Sequence, residues 1–286
     1  SPLALALKRA VSTYGMLVIS TMDQTSIEEG DFNLLTPQAH VSFTSLFGTP
    51  GAHPQRGKPP GLPCLDEDTF DCLVEVASTN RSSLYFSGQT RADHWHADIT
   101  FSATPPVYTT LHAIALPGGG KGDTMWTCTA AAYKALSPGL KQTLGGLSSV
   151  HEDRSGLGNI SEHPVVVEVQ VNTTSEGVRS HAALYVNHQF TRAFVGWTEK
   201  ESAPLLDYLR QHAVSAEFVY RHTWTQGDLV IWDNRQTMHF GIFDHSGGPS
   251  SSDMRESSDT GGTRPVRELH RTTAAYSPLL AWASVQ

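Results

Sequence analysis

Apolar residues recur along this chain in two rhythms, one helical and one alternating, and their order sets out an architecture. Residues 3–14 carry an amphipathic helical pattern that Gly15 stops, and the Met-Leu-Val-Ile run at 16–19 reads as a buried strand. Thr36-Pro37 opens a second helix with a capping hydroxyl and a proline in the first turn. Val41, Phe43, Leu46 and Phe47 are its apolar content, and Gly48 ends it. Residues 49–63 are rich in Pro and Gly and are expected as loop. Strands are predicted over 72–77 and 107–116, then two short helices over 130–136 and 137–144, the second capped by Ser137-Pro138 and closed by Gly145-Gly146. Beyond them β-rich runs dominate, at 165–171, 182–186, 219–224, 228–232 and 237–243, separated by Gly, Asn and Asp turns. One helix interrupts them, 199–212, with Leu205, Leu206 and Leu209 on its inner face.

Many short strands with a few helices predict a mainly β protein with a jelly-roll core (a double-stranded β-helix) flanked by helices. A length of 286 residues fits a single domain over 1–286. Within it, 246–263 is rich in Ser, Gly and Asp and buries too little apolar surface to order itself well, so it is expected as a flexible lid or insertion near the mouth of a site.

Composition narrows the function classes. The formal net charge is −8 and no basic cluster marks a nucleic-acid surface. No apolar run approaches the ~18 residues a membrane span needs, and the opening residues read as an amphipathic helix rather than a signal peptide. Cys64, Cys72 and Cys128 form neither a metal-type pair nor a disulfide framework, which points to a reducing, cytoplasmic setting. The partner expected is a small molecule, without nucleic acid or membrane; self-association as a homo-oligomer stays open.

Candidate chemistry begins at Asp93-His94-Trp95-His96-Ala97-Asp98, read as a strand running into a loop. On an extended segment, residues two apart face the same way, so His96 and Asp98 can reach one point. An imidazole and a carboxylate suit Fe(II), Mn(II) or Zn(II), and the best third ligand lies downstream, at His239. With 14 histidines in the chain, an isolated H-x-D pair carries little weight by itself; its company decides.

That company resembles the Fe(II)/2-oxoglutarate-dependent dioxygenases of the TauD/TfdA, or taurine dioxygenase-like, group. The likeness rests on W-H-x-D-x-T-F at 95–101, Pro105-Pro106, G-D-T-x-W at 122–126, A-L-Y-V-N at 183–187, G-D-x-x-x-W-D-N-R with a following histidine at 227–239, and R-x-x-H-R at 267–271. The resemblance implies a dioxygenase that uses Fe(II), 2-oxoglutarate and O2 to oxidise a small anionic substrate such as an amino acid, carboxylate or sulfonate, releasing succinate and CO2. It implies His96, Asp98 and His239 as iron ligands, and Arg267 with Thr124 as partners of the distal carboxylate of 2-oxoglutarate. Arg271, His53 and Phe190 match substrate-contacting positions; Arg271 is four residues from Arg267, so on a strand both face one way. Arg56 stands where the sulfonate-using members have a tyrosine. Two other classes fit parts of the pattern. His94-x-His96-x-Asp98 is similar to the start of the H-x-H-x-D-H zinc hydrolase motif, but Ile99 replaces the last histidine; a non-catalytic cupin-like metal- or ligand-binding protein would share the barrel.

Overall fold

The computed structural model describes residues 2–20, 35–51, 74–78, 94–117, 119–153, 158–172, 178–242, 244 and 267–281. His53, Arg56, Cys64, Cys72 and the 246–263 segment lie outside the described residues.

Among the described residues every strand pairing is antiparallel. Six strands form the major sheet: β1 (Met16–Ile19), β12 (Leu229–Asp233), β4 (Pro106–Ala115), β14 (Arg267–Tyr276) and β2 (Pro50–Gly51) follow one another, and β3 (Val74–Ser78) also pairs with β14. A three-stranded sheet, β11 (Val219–His222), β5 (Thr124–Cys128) and β13 (Thr237–Gly241), faces it. β6 (Ser148–Glu152), β7 (Ile160–Pro164) and β10 (Thr191–Phe194) form another, and β8 (Val166–Asn172) pairs with β9 (Val178–Leu184).

Between the major sheet and β5 lies an interior packed with indoles. Trp126 from β5 meets Trp232 from β12 and Trp224 edge-on, at centroid distances of 5.5 and 6.1 Å, with Leu111, Ala113, Val230 and Leu269 around them. Trp126 and Trp232 are almost wholly buried. A ring of this size removes ~150–250 Å² from water, which contributes about 4–6 kcal/mol each before ordering is counted. The outer face of the major sheet is covered by α1 (Pro2–Tyr14) and α2 (Pro37–Ser45), through Val11, Phe43, Phe47, Tyr108 and Ile231. A third cluster packs α3 (Thr129–Ala135), α4 (Pro138–Leu144) and α5 (Glu199–Ala213) onto the remaining strands, with Leu144, Leu206 and Leu209 at its centre.

Helix boundaries follow the capping residues. Thr36 Oγ1 accepts the Ala39 N–H ahead of Pro37, Ser137 caps α4, and Thr198 with Glu201 forms a reciprocal capping box on α5. Gly15 closes α1 at φ +83°, and a Cβ there would sit 3.0 Å from Thr237 Cγ2, so α1 can turn into β1 only with glycine at this point. The alternation did not predict β5, β6, β7 or β10. These strands hold Thr, Ser and His at buried positions, so their apolar period is faint.

Candidate active site

His96 is positioned by one isolated bridge rather than a strand. Its N–H donates to the His239 carbonyl at 3.1 Å and its carbonyl accepts the His239 N–H at 2.8 Å, which sets the two residues directly opposite each other. Their rings stand 4.2 Å apart between centroids. The chain then turns over Asp98–Phe101, with Ile99 at φ +54°, so the extended segment ends as soon as Asp98 has been delivered. The expected strand into loop is thus a short bridge into a turn.

Ligand atoms of His96, Asp98 and His239 all lie within 4.8 Å of one another. Asp98 Oδ1 is 3.9 Å from each histidine Nε2. His96 Nδ1 is 2.7 Å from the His94 carbonyl, which can only accept, so Nδ1 carries the proton and Nε2 presents a lone pair. Burial lowers the pKa of His96, although Asp98 opposes the shift. Burial, with His96 beside it, pushes His239 down to about 3. Burial works to raise Asp98, but Arg271, His239, His96 and the Thr109 hydroxyl outweigh it and hold the carboxyl well below the usual range. Two neutral imidazoles and one ionised carboxylate, buried and converging, fit a divalent first-row metal such as Fe(II) with positions left open. His94 is not one of the three converging ligands; its ring stacks on Phe240 at 6.3 Å and its carbonyl faces His96 Nδ1.

Asp98 is held at both oxygens. Arg271 Nη1 donates to Oδ1 at 2.9 Å and Thr109 Oγ1 donates to Oδ2 at 2.7 Å. Arg271, expected from the resemblance at a substrate-contacting position, already has a carboxylate partner in Asp98.

A second polar pocket lies further along the same strands. Trp126 and Thr124 sit two apart on β5, and Trp126 lies against His239 at 6.5 Å. From β14, Arg267 donates through Nε to the Gly122 carbonyl at 2.9 Å and through Nη2 to Thr124 Oγ1 at 3.0 Å. Gly122 has φ +79°, and a Cβ there would stand 3.0 Å from Arg267 Cδ, so a side chain would displace the arginine. Trp224 Nε1 also donates to Thr124 Oγ1, at 3.0 Å. Both lone pairs of that hydroxyl are then used, and its proton remains for an acceptor. Burial lowers the Arg267 pKa to about 10, with Asp123 and then Asp244 opposing, and no ion pair among the described residues includes Arg267. A buried guanidinium in this state calls for an anionic partner.

Phe190 is buried and meets His96 edge-on at 5.9 Å, backed by Phe101 and Ile99. The structure therefore brings His96, Asp98, His239, Arg271 and Phe190 together, and joins Thr124 to Arg267. Thr109 and Asn234 were not singled out from sequence, although both touch the Asp98 segment. Asn234 stood inside the W-D-N-R motif and could have been found there; Thr109 lay in an apolar run with nothing to mark it.

An antiparallel β body with a two-histidine, one-carboxylate group in its interior is the architecture of a jelly-roll non-haem iron oxygenase. The chain matches the model of the taurine catabolism dioxygenase TauD, TfdA family over residues 1–249, and it belongs to that family. It is 29% identical over 230 residues to an alpha-ketoglutarate-dependent sulfate ester dioxygenase of Pseudomonas putida, covering 75% of this chain and 70% of that protein. It is 36% identical over 234 residues to the alpha-ketoglutarate-dependent 2,4-dichlorophenoxyacetate dioxygenase of Cupriavidus pinatubonensis, covering 77% and 80%. A taurine dioxygenase structure from Burkholderia xenovorans superposes with a TM-score of 0.70 at 26% identity, over 100% of this chain and 88% of that one. Strand β14, with Arg267 and Arg271, lies beyond the family-model match and within the structural one. The chain is a dioxygenase dependent on Fe(II), 2-oxoglutarate (alpha-ketoglutarate) and O2. No helix among the described residues is long and apolar enough to cross a membrane.

Proposed function

We propose that, in one catalytic domain, His96, Asp98 and His239 hold the Fe(II), Arg267 and Thr124 hold the distal carboxylate of 2-oxoglutarate, and Arg271 and Phe190 face the substrate. The convergence of the three ligand atoms within 4.8 Å carries this reading. When bound, Fe(II) with 2-oxoglutarate and O2 supplies hydrogen-atom abstraction from a C–H bond, with release of succinate and CO2.

The remaining work falls to the protein. The proton on His96 Nδ1 is held by the His94 carbonyl, so Nε2 stays available without a titration step. Arg267 has three N–H groups left after its bonds to Gly122 and Thr124, and with the free proton of Thr124 these make four donors in a buried pocket, which favours a carboxylate over a neutral group. Trp126, Trp224 and Trp232 keep water from the wall between this pocket and His239. Phe190 supplies an apolar side against His96.

We assign a small organic anion as substrate. Charge supports it: two arginines and a divalent iron, set against one carboxylate and a dianionic co-substrate, leave a single positive charge in a buried site. Named activities of the relatives, on a sulfate ester and on an aryloxyacetate, agree with a compact anion. The test is anaerobic reconstitution with Fe(II), followed by 2-oxoglutarate-dependent succinate release on adding O2. His96→Ala, Asp98→Ala and His239→Ala should each lose metal and turnover; a His239→Ala protein that keeps both would overturn the assignment.

A further inference from the structure

We infer that Thr109 and Asn234 are positioning residues that confine Asp98 to a single metal-binding oxygen, an inference that rests on the metal assignment just given. Trp232 Nε1 lies 3.0 Å from Asn234 Oδ1, and the Asp98 backbone N lies 3.1 Å from the same atom. An indole N–H and a peptide N–H can only donate, so that atom of Asn234 is the acceptor and its other terminus is the amide nitrogen. Asn234 Nδ2 lies 2.8 Å from Thr109 Oγ1 and must donate to it. The Thr109 hydroxyl proton is then free to point in one useful direction, at Asp98 Oδ2, 2.7 Å away.

Every member of this chain is buried: Trp232 at 0%, Thr109 at 0%, Asn234 at 1% and Asp98 at 2% exposure. Burial keeps these groups from bulk solvent, and the donor directions are fixed by groups that cannot reverse. Thr109 thereby holds Asp98 Oδ2, while Oδ1, which also accepts from Arg271 Nη1 at 2.9 Å, stands 3.9 Å from both Nε2 atoms. Rotating the carboxylate to bring both oxygens to the metal would leave a buried hydroxyl without its acceptor, a loss that buried polar groups resist. The benefit to the reaction is positional. A second carboxylate oxygen would take one of the open positions that the two-oxygen co-substrate and O2 need. Trp232 joins the two parts, since its ring also lies 4.8 Å from that of His239.

The test uses the full chain loaded with Co(II), whose visible absorption reports coordination, and measures three quantities: Co(II) affinity, 2-oxoglutarate affinity of the loaded protein, and the spectrum. Thr109→Val should keep Co(II) affinity, shift the spectrum, and bind 2-oxoglutarate about 10-fold or more weakly, the size expected when a partner of a metal ligand is lost. Thr109→Ser should restore the wild-type values. Asn234→Asp places an acceptor where Nδ2 stood, draws the Thr109 proton away from Asp98, and should reproduce the same split; it decides the matter if Thr109→Val does not fold. An unchanged spectrum and 2-oxoglutarate affinity in these variants overturns the inference. So does an equal loss of both affinities that Thr109→Ser fails to restore, because that is the behaviour of a purely structural residue. Failure of the metal assignment would show separately, as a Co(II) affinity that Asp98→Ala and His239→Ala leave unchanged.

Discussion

Arg271 Nη1 lies 2.9 Å from Asp98 Oδ1, the same carboxylate oxygen that faces both histidines. On the proposed metal assignment, the guanidinium and the ion would share this carboxylate. Arg271→Ala removes one partner of a buried pair and should destabilise the metal-free protein by about 3 kcal/mol. The variant should in turn be stabilised more by added Fe(II) than the wild type is, since the ion becomes the only cation facing Asp98. Thermal melting with and without metal under anaerobic conditions checks this, and equal metal-induced shifts in the two proteins would sever Arg271 from the ligand's charge.

Arg267 and Thr124 share one hydroxyl contact but should fail differently. Arg267→Ala leaves a co-substrate carboxylate unpaired in a buried pocket and should raise the 2-oxoglutarate requirement by the equivalent of ~2–5 kcal/mol, with little change in that for the primary substrate. Thr124→Ala should weaken 2-oxoglutarate by about 1 kcal/mol. It also strands the Trp224 indole N–H, so its melting temperature should fall while Thr124→Ser holds it. Separate titrations of co-substrate and substrate decide; equal effects on both would reassign Arg267.

Much of this was legible in the chain and some of it could not be. His96 and Asp98 were readable because a two-residue spacing converges on any extended backbone; glycine and proline punctuation marked α2 and α4, and the leucine spacing marked α5. The pairing of Arg271 with Asp98 was not readable, because it depends on β14 lying beside β4 across 153 or more residues of chain (Glu268 opposite Ala115), a register that no local pattern encodes. Thr109 escaped for a related reason. It is a β-branched residue in a strand of β-branched and apolar residues, and only the third dimension shows its hydroxyl aimed at a carboxylate. The strands β6 and β7 are held by networks such as His151 Nδ1 to Thr100 Oγ1 at 2.9 Å and His163 Nε2 to the Thr100 carbonyl at 2.8 Å. A hydrophobic period cannot announce strands buried on polar contacts.

The substrate should be an anion, and the charge left over in the site says how this can be seen. A panel of amino acids, sulfonates, sulfate esters and aryloxyacids, each beside its neutral amide or ester, is scored by substrate-stimulated succinate release. Each acid should outperform its neutral counterpart, by about tenfold or more for a charge-assisted contact worth ~1.5–3 kcal/mol. Arg271→Ala should narrow that gap chiefly through KM. A neutral compound that proves the best substrate would remove the anion from the model of the site.

Acid should destabilise the fold through histidines far from the metal group. His40 from α2 and His112 from β4 lie 5.7 Å apart on the outer face of the major sheet, both nearly fully buried, with His40 Nε2 2.8 Å from Thr110 Oγ1. Burial first, then neighbouring His112 and His270, push His40 down to about 3; burial and His270 push His112 to about 4. Histidine in the unfolded chain titrates near ~6.5. Both folded values are depressed, so the stability these neutral groups contribute is present in full above about pH 6.5 and is lost as pH falls towards 3–4, where the unfolded chain binds the extra protons. Two such groups give a slope of about 2 kcal/mol per pH unit between pH 6 and 5. Urea unfolding of the metal-free protein at pH 7, 6 and 5 measures it. His40→Leu should cut the slope by about 1 kcal/mol per pH unit while leaving metal binding intact. An unchanged slope would mean that His40 accepts a proton in the folded state as readily as in the unfolded chain.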